Sequence, residues 1–452
     1  MIGNAIEDLN RENIEEHYGV LAEHFIESED FEKGAEYSKL AGKGAQKRFA
    51  VDEAISYAKK RVFCLEGMPR TETLQIKIID ARTVLAAYYL NLNYHNEAKD
   101  AVAAIADLAL EINYQKRLPM IFTAMGSYSL WVEDNYSEGV RYLSQAVKIA
   151  GEVGDFVYLW FAAYFLGGYL SANCEFEEGL HYLKKSEALS VTAKNLTSLV
   201  TAKSTLSFSN YVFHGNVNLA YQTSDESLHT AIESDDIFAK GIAYVSHGVS
   251  CFLKGFFDEA EDNLLKGFNF AKKSNHVVWQ GWASFWSGEM YDTMGAYKKA
   301  TDAFERAIAF FMERDGFAPS SINLSKLYIA GSNLSGNTEA VGLAKLLALY
   351  DSIKLKGLSG CAGRYIAQTL LKIRDQDMSE VEGWIRRAIE SDTKNGTKWF
   401  LGRDYALYRE FFKRKGDHAK AKENLTKAVE IFKECGADGW VKKYEEELAS
   451  FS

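Results

Sequence analysis

The residue types that usually carry chemistry are present in this chain, but not at the spacings chemistry needs. Five cysteines (Cys64, Cys174, Cys251, Cys361, Cys435) stand far apart with no C-x-x-C pair, so neither a zinc site nor a disulfide framework is indicated. They read as small buried thiols of a reducing, cytoplasmic compartment. Nine histidines are scattered, no two at ligand spacing on one helix, and His247 falls at a core position suited to packing. Gly42-Lys43-Gly44 lacks both the spacing and the hydroxyl of a phosphate loop. No H-E-x-x-H or G-x-S-x-G string occurs. The most glycine-rich piece, Gly357-Leu358-Ser359-Gly360-Cys361-Ala362-Gly363, reads as a loop between two repeats; its functional use would be a hinge or an anion wrap. The chain is expected to hold no catalytic residue, no metal and no cofactor.

What, then, do these residues build? The 452-residue chain has 52 basic and 62 acidic side chains, a net charge of -10, and no basic run longer than Lys413-Arg414-Lys415. That balance argues against nucleic acid, which calls for a clustered basic face. The cluster Arg409, Lys413, Arg414, Lys415 is expected on a solvated helix face. The first ten residues do not resemble a signal peptide, and no stretch of about 18 uncharged apolar residues is present to span a membrane. Only three prolines occur, which suits a chain made almost wholly of helices.

A repeat organises the sequence. The strings NYSEG, EFEEG, NVNLA, FFDEA, AYKKA, NTEA, DMSEV and DHAKA recur, and with Ala98 their last residues fall at 98, 139, 179, 220, 260, 300, 340, 381 and 421, in steps of 40 or 41. Four residues after each marker stand mostly large apolar residues (Leu143, Leu264, Phe304, Leu425), and three further on mostly small ones (Ala146, Ala307, Ala428). Spacings of three and four mark one helix face, so each unit reads as two helices. One pair is expected at about Val277 to Met294 and Lys298 to Arg314, joined at Gly295. Such stripes are buried only by stacking like modules side by side.

These residues resemble the tetratricopeptide repeat, with Gly167, Gly248 and Gly288 at the small eighth position. The family's unit is about 34 residues; this chain runs longer and lacks the usual closing proline, so it resembles the long-helix variant. HEAT repeats share the period, but their internal Pro and Asp/Arg positions are not found. The resemblance covers about residues 79–441. It implies an all-α, TPR-like α-solenoid: a right-handed superhelix of antiparallel helix pairs. Residues 1–75 read as an irregular helical segment, with markers at Gly34 and Ala54, and residues 76–452 as about nine regular repeats closed by a capping helix around Trp440. The stretch 12–46 is also similar to the junction that follows the ATPase module of large bacterial signalling proteins. This implies that the chain is a piece of a longer polypeptide.

The tetratricopeptide resemblance implies binding in a concave groove lined by the first helix of each pair. By the family's pattern the groove positions include Tyr128, Trp131, Phe161, Tyr164, Phe252, Trp282 and Phe285, with Glu289 and Asp292 lower on the same helix. Aromatic rings with a few charges suit an interface; the competing use of the same rings is to pack helix against helix. The expected function is an interaction scaffold or sensor region of a bacterial signalling protein, with a protein, a peptide or a neighbouring domain as partner. The alternatives are a regulatory fragment of an adenylate or guanylate cyclase or signalling ATPase, and a free-standing adaptor or peptide receptor.

Overall fold

The computed structural model describes residues 2–48, 50–334, 340–373 and 377–450. Every regular element among them is a helix. The second helices of the pairs begin at His95, Tyr136, Phe176, Val217, Phe257, Tyr297, Met378 and His418, each three residues ahead of a marker. The marker is where the partner helix comes closest. Ala98, Ala220, Ala260, Ala300, Val381 and Ala421 are all fully buried. At Gly179 an added Cβ would lie 2.8 Å from the Ser171 amide nitrogen, so nothing larger fits without moving a helix. Residues 337–339 of the NTEA string lie outside the described residues, and a helix begins at Ala340. The pair expected at 277–314 is found as Val277–Thr293 and Tyr297–Glu313, with Gly295 between them at φ +75°, the left-handed conformation that glycine adopts without a Cβ penalty.

The chain forms two compact units. One runs to Leu130 and adds Asn135–Ala162; the other holds Trp131–Asp134 and Ala163 onward. This division differs from the boundary expected near residue 75. There, Gly67 ends the Val51–Glu66 helix and Thr71 caps Glu72–Asn91 by accepting from the Leu74 amide, all inside the first unit. The close markers at Gly34 and Ala54 open successive helices, Phe31–Lys47 and Val51–Glu66, rather than successive repeats.

The second unit departs from simple nearest-neighbour stacking. Its last helices fold back onto the Ile237–Lys254 helix. Trp399 Nε1 donates to the Leu253 carbonyl at 3.1 Å, and Trp440 Nε1 donates to the Phe252 carbonyl at 3.1 Å. The Phe252 ring meets Trp399 at 5.4 Å and Trp440 at 6.1 Å between centroids. Lys254 Nζ reaches Asp438 Oδ2 at 2.6 Å. Gly255, at φ +85°, lets the backbones touch: a Cβ there would fall 2.8 Å from the Trp440 nitrogen. The Asp438–Ala449 helix does cover the last apolar face, where Trp440 stacks on Phe432 at 5.4 Å. In addition it closes the unit on itself.

The glycine-rich piece is a correction to the sequence reading. Gly357 to Gly363 lie within the Lys356–Lys372 helix and form neither loop nor anion wrap. Their small size serves close approach: a Cβ on Gly360 would sit 2.0 Å from Asp392 Oδ1, and one on Gly357 2.6 Å from the Ala172 carbonyl. His247 packs as expected, buried beside Tyr221 with Nδ1 3.1 Å from Ser224 Oγ.

Candidate functional site

The expected groove residues are largely taken up by packing inside the chain. In the first unit, Tyr128 is half-buried beneath the Lys99 ammonium, and Phe161 is buried beside Trp160. In the second, Trp131 lies between Tyr169 and Phe317, and Trp282 between Phe208 and Phe311. Tyr164 OH accepts from Thr205 Oγ1 at 3.2 Å. Phe252, Phe285, Glu289 and Asp292 are all buried. The seven of the second unit are engaged in packing or hydrogen bonding rather than forming one open surface. Longer helices bring their inner faces together, and the rings fill the space between them. Asp292 lines a cavity, and Glu289 stands behind it.

That cavity, of about 330 Å³, is bounded by the Val277–Thr293, Lys356–Lys372, Lys398–Arg414 and Asp438–Ala449 helices. Helical spacing aims its lining inward: Arg364, Gln368 and Leu371 on one helix, Arg403, Leu407, Glu410 and Arg414 on the next, then Trp440, Lys443 and Tyr444. Its floor is ionic and dry. Arg364, 1% exposed, donates from Nη1 to Asp404 Oδ1 at 2.9 Å and from Nη2 to Cys361 Sγ at 3.1 Å. Arg403 Nη1 reaches Glu289 Oε2 at 3.5 Å, and its guanidinium lies over the Trp399 and Trp440 rings. Nearer the mouth, Arg409 pairs with Glu410 at 3.1 Å and Glu447 at 3.0 Å. Arg409 is turned inward, which corrects its expected place on a solvated face; Lys413, Arg414 and Lys415 are exposed as expected, and Arg414 also borders the cavity.

Electrostatically the lining is cationic. Arg364, Lys372, Arg403, Arg409, Arg414 and Lys443 face Asp292 and Glu410. Among the described residues no carboxylate lies within 4 Å of the Lys372 or Lys443 ammonium. Lys372 rests over the Tyr297 ring at 4.1 Å and Lys443 over Trp440 at 5.4 Å. Burial, then Arg403 and Arg409, push the Lys443 pKa down, while burial pushes Asp292 up against the pull of Arg403. A bound anion would relieve the crowding of positive charge. Among the described residues no cluster of His, Cys, Asp or Glu is arranged to hold a metal.

Behind the floor, two carboxyls are buried, and burial favours a proton on Asp392. Asp392 and Asp404 are both fully buried, and each has one oxygen without another partner. Burial and then the neighbouring Asp404 charge lift Asp392 well above the carboxylate range. Burial also raises Asp404, with Arg364 opposing it. Thr397 Oγ1 donates to the other Asp392 oxygen at 2.8 Å. The native state therefore keeps a proton that the unfolded chain releases above about pH 3.9. Stability from this proton is complete below that pH and is lost as pH rises toward the native pKa of Asp392, by up to about tenfold in the folding equilibrium per pH unit. Asp392→Asn can keep the Thr397 hydrogen bond without a titrating group. Urea midpoints measured from pH 4 to 9 should show the variant close to wild type at the acid end and more stable at the alkaline end. Parallel curves would refute the raised pKa of Asp392.

The sequence did not single out Arg364, Arg403 or Lys443 as site residues. The available signal was Arg403-Asp404 set between Trp399-Phe400 and Ala406, a charged pair in mid-stripe on a helix face otherwise built for burial.

No protein-family model matches the chain, and no curated protein matches it. Solved structures do. A Rap protein complexed with competence and sporulation factor superposes with a TM-score of 0.61 at 15% identity, over 80% of this chain and 99% of that one. The Rap conjugation gene regulator of the plasmid pLS20, in complex with the Phr* peptide, gives 0.51 at 12% identity, over 79% and 95%. At these identities the likeness is one of fold: this chain is a helical-repeat solenoid of the TPR-like kind.

Proposed function

We propose that this chain is a peptide-binding regulatory scaffold and that the cationic cavity of its second unit takes an acidic segment of the peptide. The observation that carries this reading is the cavity lining: Lys372 and Lys443 have no carboxylate within 4 Å among the described residues, and they stand with Arg414 over arginines already paired to Asp404, Glu289 and Glu447. The two similar structures add support, since one holds a signalling factor and the other a peptide. No reaction is assigned to the chain. We place it in the cytoplasm because all five cysteines are free thiols; no helix among the described residues is long and apolar enough to cross a membrane. In the fuller form of the proposal, the scaffold reports peptide occupancy to a signalling ATPase or nucleotidyl cyclase module of the same polypeptide. The coding sequence upstream of residue 1 separates this from a free-standing adaptor.

The test is fluorescence anisotropy with labelled pentapeptides that carry two Asp residues or two Asn residues at the same positions. Acidic peptides should bind at least about tenfold more tightly, as befits charge-assisted hydrogen bonds, and lose affinity as salt rises. The double variant Arg414→Gln/Lys443→Gln should lose that preference, whereas Lys413→Gln, outside the cavity, should keep it. Equal binding of the two peptides would end the proposal.

A further inference from the structure

The first unit contains a second cavity, of about 340 Å³, that the peptide reading does not use. The Phe31–Lys47, Val51–Glu66 and Glu72–Asn91 helices bring Ser38, Arg61 and Tyr88 to it, and Val157 and Tyr158 complete the wall. Much of the surface is hydrocarbon: Ala58, Ala81, Val84, Ala87 and Val157. On Glu72–Asn91 the residues at 80, 81, 84, 87 and 88 share one helix face.

The polar groups are unevenly satisfied. Asp80 accepts from Tyr114 OH at 3.0 Å and from Arg117 Nε, and Arg117 Nη1 donates to Tyr158 OH at 2.8 Å. Lys39 pairs with Glu36 at 2.9 Å, and Lys43 is exposed and solvated at the rim. Arg61 has no such arrangement. It is only partly exposed, and among the described residues no carboxylate lies within 4 Å of its guanidinium. Burial lowers its pKa, with Asp80 and Glu36 opposing from a distance and Arg117 reinforcing. Ser38 Oγ is fully buried and has no hydrogen-bond partner, although a helical serine has a carbonyl one turn back within reach. A guanidinium without a counterion and a hydroxyl without an acceptor border the same largely apolar space. A buried polar group left in that condition is costly unless something fills the role.

We infer that this cavity binds a small organic carboxylate, its charged end toward Arg61 and Ser38 and its hydrocarbon body against Val84, Ala87 and Val157. One uncompensated guanidinium and one neutral hydroxyl match a single negative charge, and the alanine and valine walls match an alkyl chain rather than a hydrated inorganic anion.

Isothermal titration calorimetry of the full chain with hexanoate, acetate, 1-hexanol and inorganic phosphate tests this. Hexanoate should bind at least about tenfold more tightly than each of the other three, because acetate lacks the buried methylenes and hexanol lacks the charge. Arg61→Met, which keeps the apolar stem, should weaken hexanoate at least about tenfold and leave hexanol unchanged. Ser38→Ala should weaken hexanoate several-fold. Ala87→Leu fills the space with Arg61 intact and should abolish hexanoate binding, so the conclusion does not depend on one variant. Acetate or phosphate binding as tightly as hexanoate would overturn the inference, and so would full hexanoate affinity in Arg61→Met or Ala87→Leu.

Discussion

Arg364→Met should lower the stability of the second unit by about 3–5 kcal/mol, the cost of breaking a buried ion pair from one side. Arg364 and Asp404 are 1% and 0% exposed, so water cannot take over for a lost partner. Removing the guanidinium strands the Asp404 carboxylate and leaves Cys361 Sγ without its donor. Asp404 must then either stay charged without compensation or take up a proton. The deficit should therefore be smaller at pH 5 than at pH 8. Arg364→Met/Asp404→Leu should regain much of the loss, since apolar residues of similar volume often replace a buried pair at little cost. Urea unfolding of wild type, both single variants and the double variant gives the coupling energy directly. A loss under 1 kcal/mol in Arg364→Met would mean that water reaches the floor of the cavity.

The architecture was legible in the sequence to the extent that it is local and repeated. Ala260, Ala300 and Ala421 sit where a second helix must approach its partner, and the residues three before them start those helices. Spacing alone fixes both facts. The turn at Gly295 was equally visible, because a left-handed residue has a chemical preference that composition reveals. Glycine inside a helix has no such mark. Gly357, Gly360 and Gly363 look like punctuation in one dimension, while in the structure they are the smooth side of a helix pressed against Asp392, Ala388 and the Ala172 carbonyl. Arg409 likewise looks solvated until the Asp438–Ala449 helix, whose Glu447 it meets, is placed beside it. The groove reading assigned Phe252 and Phe285 correctly to first helices but assumed that those faces stay open. Whether they do depends on contacts between residues 146 and 188 positions apart, and a 40-residue period says nothing about such contacts.

The closure of the second unit rests on Trp440 more than on any other side chain of the last helix, and Trp440→Ala should show it. Trp440 is 1% exposed, donates to the Phe252 carbonyl, and packs against Trp399 at 5.5 Å and Phe432 at 5.4 Å. Truncating a buried Trp costs about 3–5 kcal/mol through lost burial and the cavity left behind. Here the loss falls on an element held otherwise by Tyr444 and by the Lys254–Asp438, Arg409–Glu447 and Lys433–Glu445 pairs, and the exposed pairs at Asp438 and Glu445 are worth little. The Asp438–Ala449 helix should then open well before the rest of the unit. Hydrogen exchange across 438–449 should accelerate by at least about a hundredfold, and the acidic-peptide preference should fall with it, because Lys443 and Tyr444 leave the cavity wall. Trp384→Ala is the matched control: Trp384 is also buried, but it packs against Tyr350 away from the closure. That variant should lose stability while residues 438–449 stay protected at low denaturant. If the two variants give the same exchange pattern, the contact between the last helix and Ile237–Lys254 contributes nothing of its own to the cavity or to the closure of the unit.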